Sequence, residues 1–116
     1  MPSSSVPQVE FFWWAECPSW ERVLADLRVA MEELGLDPGS IAETEIRDED
    51  DADRLSFVGS PTIRVEGVDV DPPGADEPVG LACRIYRRPD GRVSPLPDPE
   101  RVRGALRRAI EGKETS

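Results

Sequence analysis

The sequence predicts an α/β fold with a mixed sheet of four to five strands and helices on both faces. Short apolar or alternating runs, typical of strands, interchange with stretches that have helical periodicity. Their order along the chain is strand, helix, strand, helix, hairpin, strand, helix. The strand–helix–strand start predicts a parallel pair with a right-handed crossover, and the hairpin adds antiparallel strands.

The first strand and the first helix are predicted by adjacent stretches. VEFFWW at 9–14 is rich in aromatic residues, and its near-continuous apolarity predicts a strand buried on both faces. One apolar stripe at helical spacing follows, so we expect a helix there. The stripe consists of Trp20, Val23, Leu24, Leu27, Met31 and Leu34. Pro18 suits the first helical position, and Gly35 suits the stop.

The middle of the chain predicts a strand, a short helix and a hairpin. IAETEI at 41–46 alternates as a strand does, and the acidic residues of 48–55 favour the start of a helix. The runs 62–65 and 68–70 flank the Glu66–Gly67 dipeptide, which predicts a tight two-residue turn.

The last third of the sequence predicts one more strand and a C-terminal helix. LACRIYR at 81–87 has the composition of a strand, and Asp98 with Pro99 is typical of a helix start. The predicted organisation is a loose tail at 1–7, one domain at 8–111 and a second loose tail at 112–116.

The charge balance excludes several classes of partner. With 14 basic and 24 acidic residues the formal net charge is −10, which repels nucleic-acid phosphates and anionic lipid. The start of the chain lacks the pattern of a signal peptide, and no apolar stretch approaches the ~20 residues of a membrane span. We therefore expect a cytoplasmic protein, in which Cys17 and Cys83 are thiols rather than a structural bridge.

Cys17 is the strongest candidate for chemistry. The chain has no histidine, which excludes histidine bases and histidine metal ligands. Cys17 follows a buried strand and precedes a helix, whose N-terminal N–H groups and dipole stabilise a thiolate within reach of water. The alternative is a buried cysteine that serves as a small apolar side chain. Glu16 would oppose the thiolate unless its carboxylate points to solvent.

Three segments resemble the thioredoxin-like proteins, and more narrowly the small bacterial thioredoxin-like proteins, some of which are selenoproteins. The segments are FFWWAECPSW, FVGSPTIRVEG and the later Gly-Leu-x-Cys-Arg-x-Tyr, which begins at Gly80. The likeness covers roughly residues 8–110 and implies a thioredoxin-like fold. Carried over, it makes Cys17 the nucleophile and Pro61 a cis-proline. The Ser60 backbone would then face the cysteine and pair with a substrate strand.

The sequence departs from thioredoxins at the second cysteine, because Trp20 stands three residues after Cys17. Cys83 is the possible replacement, and its distance from Cys17 depends on the hairpin. A tight Glu66–Gly67 turn would return the chain toward Pro61 and Cys17. One long turn over 66–80 would instead leave Cys83 at the opposite end, beyond the ~7 Å between Cα atoms that a disulfide tolerates. A core position in the strand is the alternative for Cys83.

Two arginines lie in these segments, Arg64 and Arg84. Either guanidinium, if close to Cys17, would lower the pKa of the thiol or hold the carboxylate of a low-molecular-weight thiol. A solvated surface arginine is the alternative for each.

The acidic residues at 48–53 and 69–77 do not match the pattern of a calcium-binding loop.

Three functions follow as hypotheses. The first is thiol–disulfide or peroxide redox through Cys17, with Cys83 as the candidate resolving thiol and Pro61 at the catalytic centre. The residues expected to line the binding site are Pro18, Trp20, Ser60, Thr62 and Arg84. The partner would be a disulfide-containing protein or a low-molecular-weight thiol, with no cofactor, and the protein would be a monomer or homodimer.

The second hypothesis is a catalytically silent binding module whose tryptophans form an interaction surface. The alternative for the tryptophans is a position in the hydrophobic core. The third is binding of a soft metal such as mercury or copper(I) by the two thiols.

Overall fold

A four-stranded mixed sheet organises the computed structural model, which describes residues 7–71, 79–81, 84, 86–87, 90–94 and 96–115. In chain order the elements are β1 Val9–Trp13, α1 Trp20–Glu33, β2 Ala42–Glu45, α2 Glu49–Leu55, β3 Thr62–Val65, β4 Val68–Asp69, β5 Tyr86–Arg87, β6 Val93–Ser94 and α3 Pro99–Thr115. A short 3-10 helix, Pro38–Ser40, precedes β2.

The strand order of the main sheet is β2-β1-β3-β4. Strand β1 is parallel to β2 and antiparallel to β3, and β3 is antiparallel to β4. The predicted parallel pair and the predicted hairpin are therefore confirmed. β5 pairs with β6 in a separate two-stranded ladder. Of the predicted strand at 81–87, only Tyr86–Arg87 is described as a strand, and residues 82, 83 and 85 lie outside the described residues.

Helices cover both faces of the sheet, as the sequence predicts. Val9 and Phe11 of β1 are buried in one hydrophobic cluster with residues of α1 and α3. Phe12 is buried in a second cluster, which includes residues of α2 and its flanks: Ile46, Ala52 and Phe57. Alternate residues of a strand point to opposite faces, so β1 is buried on both sides. Complete burial of each such apolar side chain contributes about 1.5–3 kcal/mol to stability.

Helix α1 begins later than predicted. Its first helical hydrogen bond runs from the Val23 N–H to the Ser19 carbonyl at 3.1 Å, so Ser19 is the N-cap and Trp20 the first helical residue. The prediction that Pro18 occupies the first helical position is wrong. The Cys17 N–H donates to the Trp14 carbonyl at 3.0 Å, and this turn places Cys17 and Pro18 ahead of the helix.

The turn between β3 and β4 decides where the chain runs next. Glu66 and Gly67 both have positive φ, 53° and 80°, the combination that a type I′ hairpin turn requires. The tight turn that the sequence favours is therefore the observed one, and β4 runs back toward the end of β3 at which Pro61 lies.

The C-terminal helix starts as predicted and extends further. The Asp98 carboxylate accepts the Glu100 N–H at 3.0 Å, which caps the first turn of α3. α3 continues to Thr115, past residue 111, where the sequence pattern places the end of the domain. At the other end, Pro7 is buried and residues 1–6 lie outside the described residues. In the part of the chain that is described, none of the helices combines the length and the apolarity needed to cross a membrane.

Candidate functional site

Cys17 lies in the short connection between the end of β1 and the start of α1. Its Sγ is 3.3 Å from the Ser19 hydroxyl oxygen and 3.4 Å from the Ser60 carbonyl oxygen, to which the thiol donates. The sulfur therefore contacts polar atoms and faces the residue before Pro61. Cys17 is nevertheless only 1% exposed, so the expectation of a thiol within reach of water is wrong.

Ser60 connects the Pro61 segment to the end of β1. The Ser60–Pro61 peptide bond is cis, the geometry that the resemblance implies. Ser60 is fully buried, and its hydroxyl oxygen accepts the Trp14 N–H at 3.0 Å. This hydrogen bond fixes the Ser60 side chain toward β1, while its carbonyl faces Cys17. The structure thus brings together three residues that the sequence assigned to the site: Cys17, Ser60 and Pro61.

The hydrogen bonds to Ser60 and Ser19 have opposite effects on the protonation of the Cys17 sulfur. A thiol that donates to the Ser60 carbonyl is stabilised in its protonated form, since a thiolate beside that oxygen would lose the bond. The Ser19 hydroxyl is able to donate to the sulfur, and in that orientation it stabilises the thiolate. The N-terminal end of the 14-residue α1 favours negative charge as well. The geometry allows both protonation states to be hydrogen bonded.

Trp20 belongs to the packing of the fold. Its ring stacks on that of Trp13 with centroids 4.0 Å apart and 22° between the planes. Both rings pack against the cluster between the sheet and α1, and Trp14 packs against the cluster on the other face. All three tryptophans are half-buried. The position at which a thioredoxin has its second cysteine is therefore a packing position here.

Arg84 is buried, whereas the sequence predicted either a guanidinium close to Cys17 or a solvated surface arginine. It is 7% exposed, and its Nη1 donates to the Asp69 carboxylate at 2.7 Å. Its Nη2 donates to the Asp71 carbonyl, and the guanidinium lies 4.5 Å above the Tyr86 ring centroid. Burial opposes the charge, but interactions with Tyr86, Asp69 and Asp71 outweigh it and raise the pKa of Arg84 above its ordinary value. The guanidinium is thus one member of a buried ion pair.

Tyr86 contacts Pro61, the residue on the C-terminal side of the cis peptide bond. Its hydroxyl donates to the Pro61 carbonyl, and the residue is 1% exposed. Burial raises the pKa of Tyr86 well above its ordinary value, because a phenolate at this position would lose its hydration; the nearby Arg84 opposes the shift only in part.

The remaining predicted residues are placed as follows. Thr62 is fully buried, and its hydroxyl donates to the Gly59 carbonyl at 2.7 Å, so it supports the loop rather than a ligand. Arg64 donates to the Leu55 carbonyl at 2.8 Å and lies 4.7 Å above the Phe12 ring centroid. Pro18 is exposed beside Cys17. Cys83 lies outside the described residues.

Three residues of this site were missed by the sequence reasoning: Ser19, Asp69 and Tyr86. Ser19 makes no side-chain capping bond to α1. No sequence pattern indicates this, because a serine caps a helix with its own hydroxyl whether or not a Glu or Gln follows three residues later. Asp69 carries no local signal, because its partner lies 15 residues away along the chain. Tyr86 is the last residue of the third resembling segment, but that segment does not indicate that its hydroxyl reaches Pro61, 25 residues away.

Within the described ranges, no group of three or more His, Cys, Asp or Glu residues is arranged to hold a metal ion. A scan against protein-family models, a search of the curated proteins and a search of the solved structures each gave no match.

Proposed function

We propose that this chain is a thioredoxin-like thiol protein in which Cys17 carries out thiol–disulfide or peroxide chemistry. The observation that carries the proposal is the position of the Cys17 sulfur. It lies between a strand end and a helix start, 3.4 Å from the carbonyl of the residue that precedes the cis-proline Pro61. The strand order β2-β1-β3-β4, with α1 and α3 on one face and α2 on the other, supports the thioredoxin-like assignment.

The chemistry uses one nucleophile and a second thiol. In exchange, the Cys17 thiolate attacks one sulfur of a disulfide, the S–S bond breaks, and a thiolate leaves as the mixed disulfide forms. A second thiol then attacks the mixed disulfide and releases the other half of the substrate. Arg84 donates its backbone N–H to the same Ser60 carbonyl that accepts the Cys17 thiol, at 2.8 Å. Cys83 immediately precedes Arg84 in the chain, and we take it as the resolving thiol, with a low-molecular-weight thiol as the substitute.

The test is a pH titration of the thiolate in the reduced, folded protein. We expect the absorbance of the Cys17 thiolate, isolated by subtracting a Cys17→Ser variant, to appear with a midpoint below the ~8.5 of an ordinary cysteine. Cys83→Ser serves as the second control, because it should leave this transition in place. A midpoint at or above the ordinary value would contradict a nucleophilic role for Cys17.

One observation favours a second candidate, a catalytically silent thioredoxin-fold module. Cys17 is 1% exposed, as a cysteine that only packs would be. If Cys17→Ser has the same unfolding free energy and the same cellular phenotype as the parent chain, this candidate is preferred. The half-buried tryptophans contribute mainly to packing, so they do not by themselves define its interaction surface.

A further inference from the structure

A segment of the chain itself lies along the Pro61 loop, where a substrate strand was expected to pair. We call the described residues of the 80–86 segment the strap. The Gly80 N–H donates to the Phe57 carbonyl at 3.0 Å, and the Arg84 N–H donates to the Ser60 carbonyl at 2.8 Å. The strap therefore forms backbone hydrogen bonds at both ends of the loop that precedes Pro61.

The contact between the strap and this loop is close. A Cβ atom placed on Gly59 would lie 2.9 Å from the Arg84 Cα, nearer than real Cβ atoms approach backbone. At the far end of the loop, the Tyr86 hydroxyl donates to the Pro61 carbonyl. The two segments thus meet at the distance of neighbouring backbones, with no room between them for another chain.

The strap is anchored by charge as well as by backbone. The Arg84 guanidinium is paired with Asp69 at the end of β4, with the two side chains 7% and 10% exposed. The Asp71 carboxylate, two residues further on, accepts Arg101 of α3 at 2.8 Å. Arg84 is thus held to β4 through Asp69 and, through the Asp71 carbonyl, to the residue that pairs with α3.

The strap lies beside the Ser60 carbonyl, where a protein substrate was expected to pair. This carbonyl accepts the Arg84 N–H in both protonation states of Cys17, but it accepts the Cys17 thiol only while the sulfur is protonated, so the bond from Arg84 persists in the reactive thiolate. We propose, on the basis of the proposed function, that the oxidant of Cys17 is a small neutral hydroperoxide rather than a protein disulfide. Pairing with a substrate strand would first require the bond between Arg84 and Ser60 to break.

The charge and the burial of the site agree with this substrate class. A net charge of −10 repels anionic disulfides, whereas a neutral peroxide is not repelled. Cys17 is 1% exposed, so an oxidant reaches the sulfur only when the surrounding structure opens locally. A small opening admits a hydroperoxide group of two oxygen atoms, whereas a folded protein chain requires a much larger one.

The reaction balances without a cofactor. The Cys17 thiolate attacks one peroxide oxygen, the O–O bond breaks, and hydroxide leaves and takes a proton to become water. The sulfur is oxidised by two electrons to a sulfenic acid, and the peroxide is reduced. A thiol, either Cys83 or a low-molecular-weight thiol, then forms a disulfide with Cys17 and releases a second water. If the disulfide is a mixed one, a further low-molecular-weight thiol attacks it, regenerates Cys17 and leaves as an external disulfide; if it joins Cys17 to Cys83, two such thiols are consumed and both cysteines are regenerated.

The experiment compares two oxidants on the reduced full chain. Hydrogen peroxide and the disulfides of insulin are the probes, and mass spectrometry of Cys17 gives both rates. The strap variant is Arg84→Ala with Asp69→Ala, which removes both charges together. The matched control is Arg92→Ala with Asp90→Ala, an exposed pair with the same residue types.

We expect peroxide to react faster than insulin with the parent chain and with the control. The strap variant should gain at least about tenfold in the insulin rate, which corresponds to about 1.4 kcal/mol of lost anchoring, while the peroxide rate changes far less. If the double variant does not fold, Tyr86→Phe weakens the strap with one hydroxyl and should move the ratio of the two rates in the same direction. An insulin rate equal to the peroxide rate in the parent, or a ratio that neither variant moves, would overturn the inference and leave the proposed function standing. A folded protein whose Cys17 reacts with neither probe would instead overturn the proposed function.

Discussion

Ser19 is the N-cap of α1, yet its hydroxyl lies 3.3 Å from the Cys17 sulfur and makes no capping bond to the helix. Serine at an N-cap usually accepts a backbone N–H two or three residues later, which is worth about 1 kcal/mol. Here that contribution is absent and the hydroxyl interacts with the sulfur instead. The Ser19 backbone, at φ −99° and ψ −6°, lacks the extended conformation of a capping residue, which accounts for the missing bond.

The first prediction separates these two roles of Ser19. Ser19→Ala should lower the free energy of unfolding by less than about 0.5 kcal/mol, because no capping bond is lost. It should also raise the pH at which the Cys17 thiolate forms, because a hydroxyl donor to the thiolate is removed.

Asp48→Ala is the matched capping control for Ser19→Ala. Its carboxylate accepts the Asp51 N–H at 2.8 Å at the start of α2, so its removal should cost about 1 kcal/mol and leave the thiolate midpoint unchanged. Urea denaturation and thiolate absorbance give the two readouts. Equal losses of stability in the two variants would show that Ser19 does cap α1.

The second prediction concerns Tyr86, the one tyrosine of the sequence. Burial raises its pKa above the value of the unfolded chain, so its contribution to stability is complete below pH ~10. It is lost as the pH rises from there toward the folded-state pKa. The tyrosinate absorbance of the folded protein should therefore appear only at a pH clearly above that of the protein unfolded in urea.

Tyr86→Phe supplies the control for that titration. The variant should lose the steep decline of stability above pH ~10. It should also be less stable at neutral pH by roughly 1–3 kcal/mol, because the Pro61 carbonyl loses its buried donor. Coincident tyrosinate curves for the folded and the unfolded parent would contradict the burial of this hydroxyl.

Much of the fold was predictable because it rests on local patterns. The helical stripe from Trp20 to Leu34 gave α1, and its apolar members are the ones that pack between the sheet and α3. The Glu66–Gly67 turn was predictable because few residue pairs adopt two positive φ angles in succession. The start of α1 was misplaced because Pro18 fits a helix start equally well whether or not the chain makes a turn at Trp14–Cys17 first.

The candidate site was predictable only in part, because its decisive contacts are long-range. The closeness of Cys17 and Ser60 was expected from the resemblance, since the two residues are 43 positions apart. The burial of Arg84 was not expected, because its partner Asp69 lies in an acidic stretch that reads as solvated. Nor does any pattern in the sequence indicate that the Ser60 carbonyl is satisfied within the chain.

The third prediction tests whether the Arg84–Asp69 pair is as buried as the structure has it. Arg84→Ala leaves the Asp69 carboxylate buried without its partner and should lower the free energy of unfolding by roughly 3–5 kcal/mol. Arg92→Ala removes an arginine from an exposed pair with Asp90 and should cost less than about 1 kcal/mol. Urea denaturation measures both, and a similar small loss in the two variants would place Arg84 at the surface.

The fourth prediction uses two glycines to measure how tightly the strap lies on the Pro61 loop. Gly67 has φ +80° and open space where a Cβ would be, so Gly67→Ala should cost only the backbone strain, about 1 kcal/mol. Gly59 has φ +140°, and an added Cβ would lie 2.9 Å from both the Cα and the Cβ of Arg84. Gly59→Ala therefore meets a clash and also a larger backbone strain, because φ +140° lies outside the left-handed helical region, and the loss should exceed that of Gly67→Ala by at least about 1 kcal/mol.

Hydrogen exchange of the Arg84 amide shows whether that loss arises at the strap. In Gly59→Ala the bond from Arg84 to the Ser60 carbonyl should lengthen or break, so this amide should exchange faster, whereas in Gly67→Ala its protection relative to global unfolding should be unchanged. The strap itself would have to move, because the three nearest atoms that the new methyl group would meet all belong to Arg84, and two of them, the Cα and the amide nitrogen, are backbone atoms. Equal stability of the two alanine variants, together with an unaltered Arg84 amide, would mean that the strap stands away from the loop and that the Ser60 carbonyl is open to a substrate.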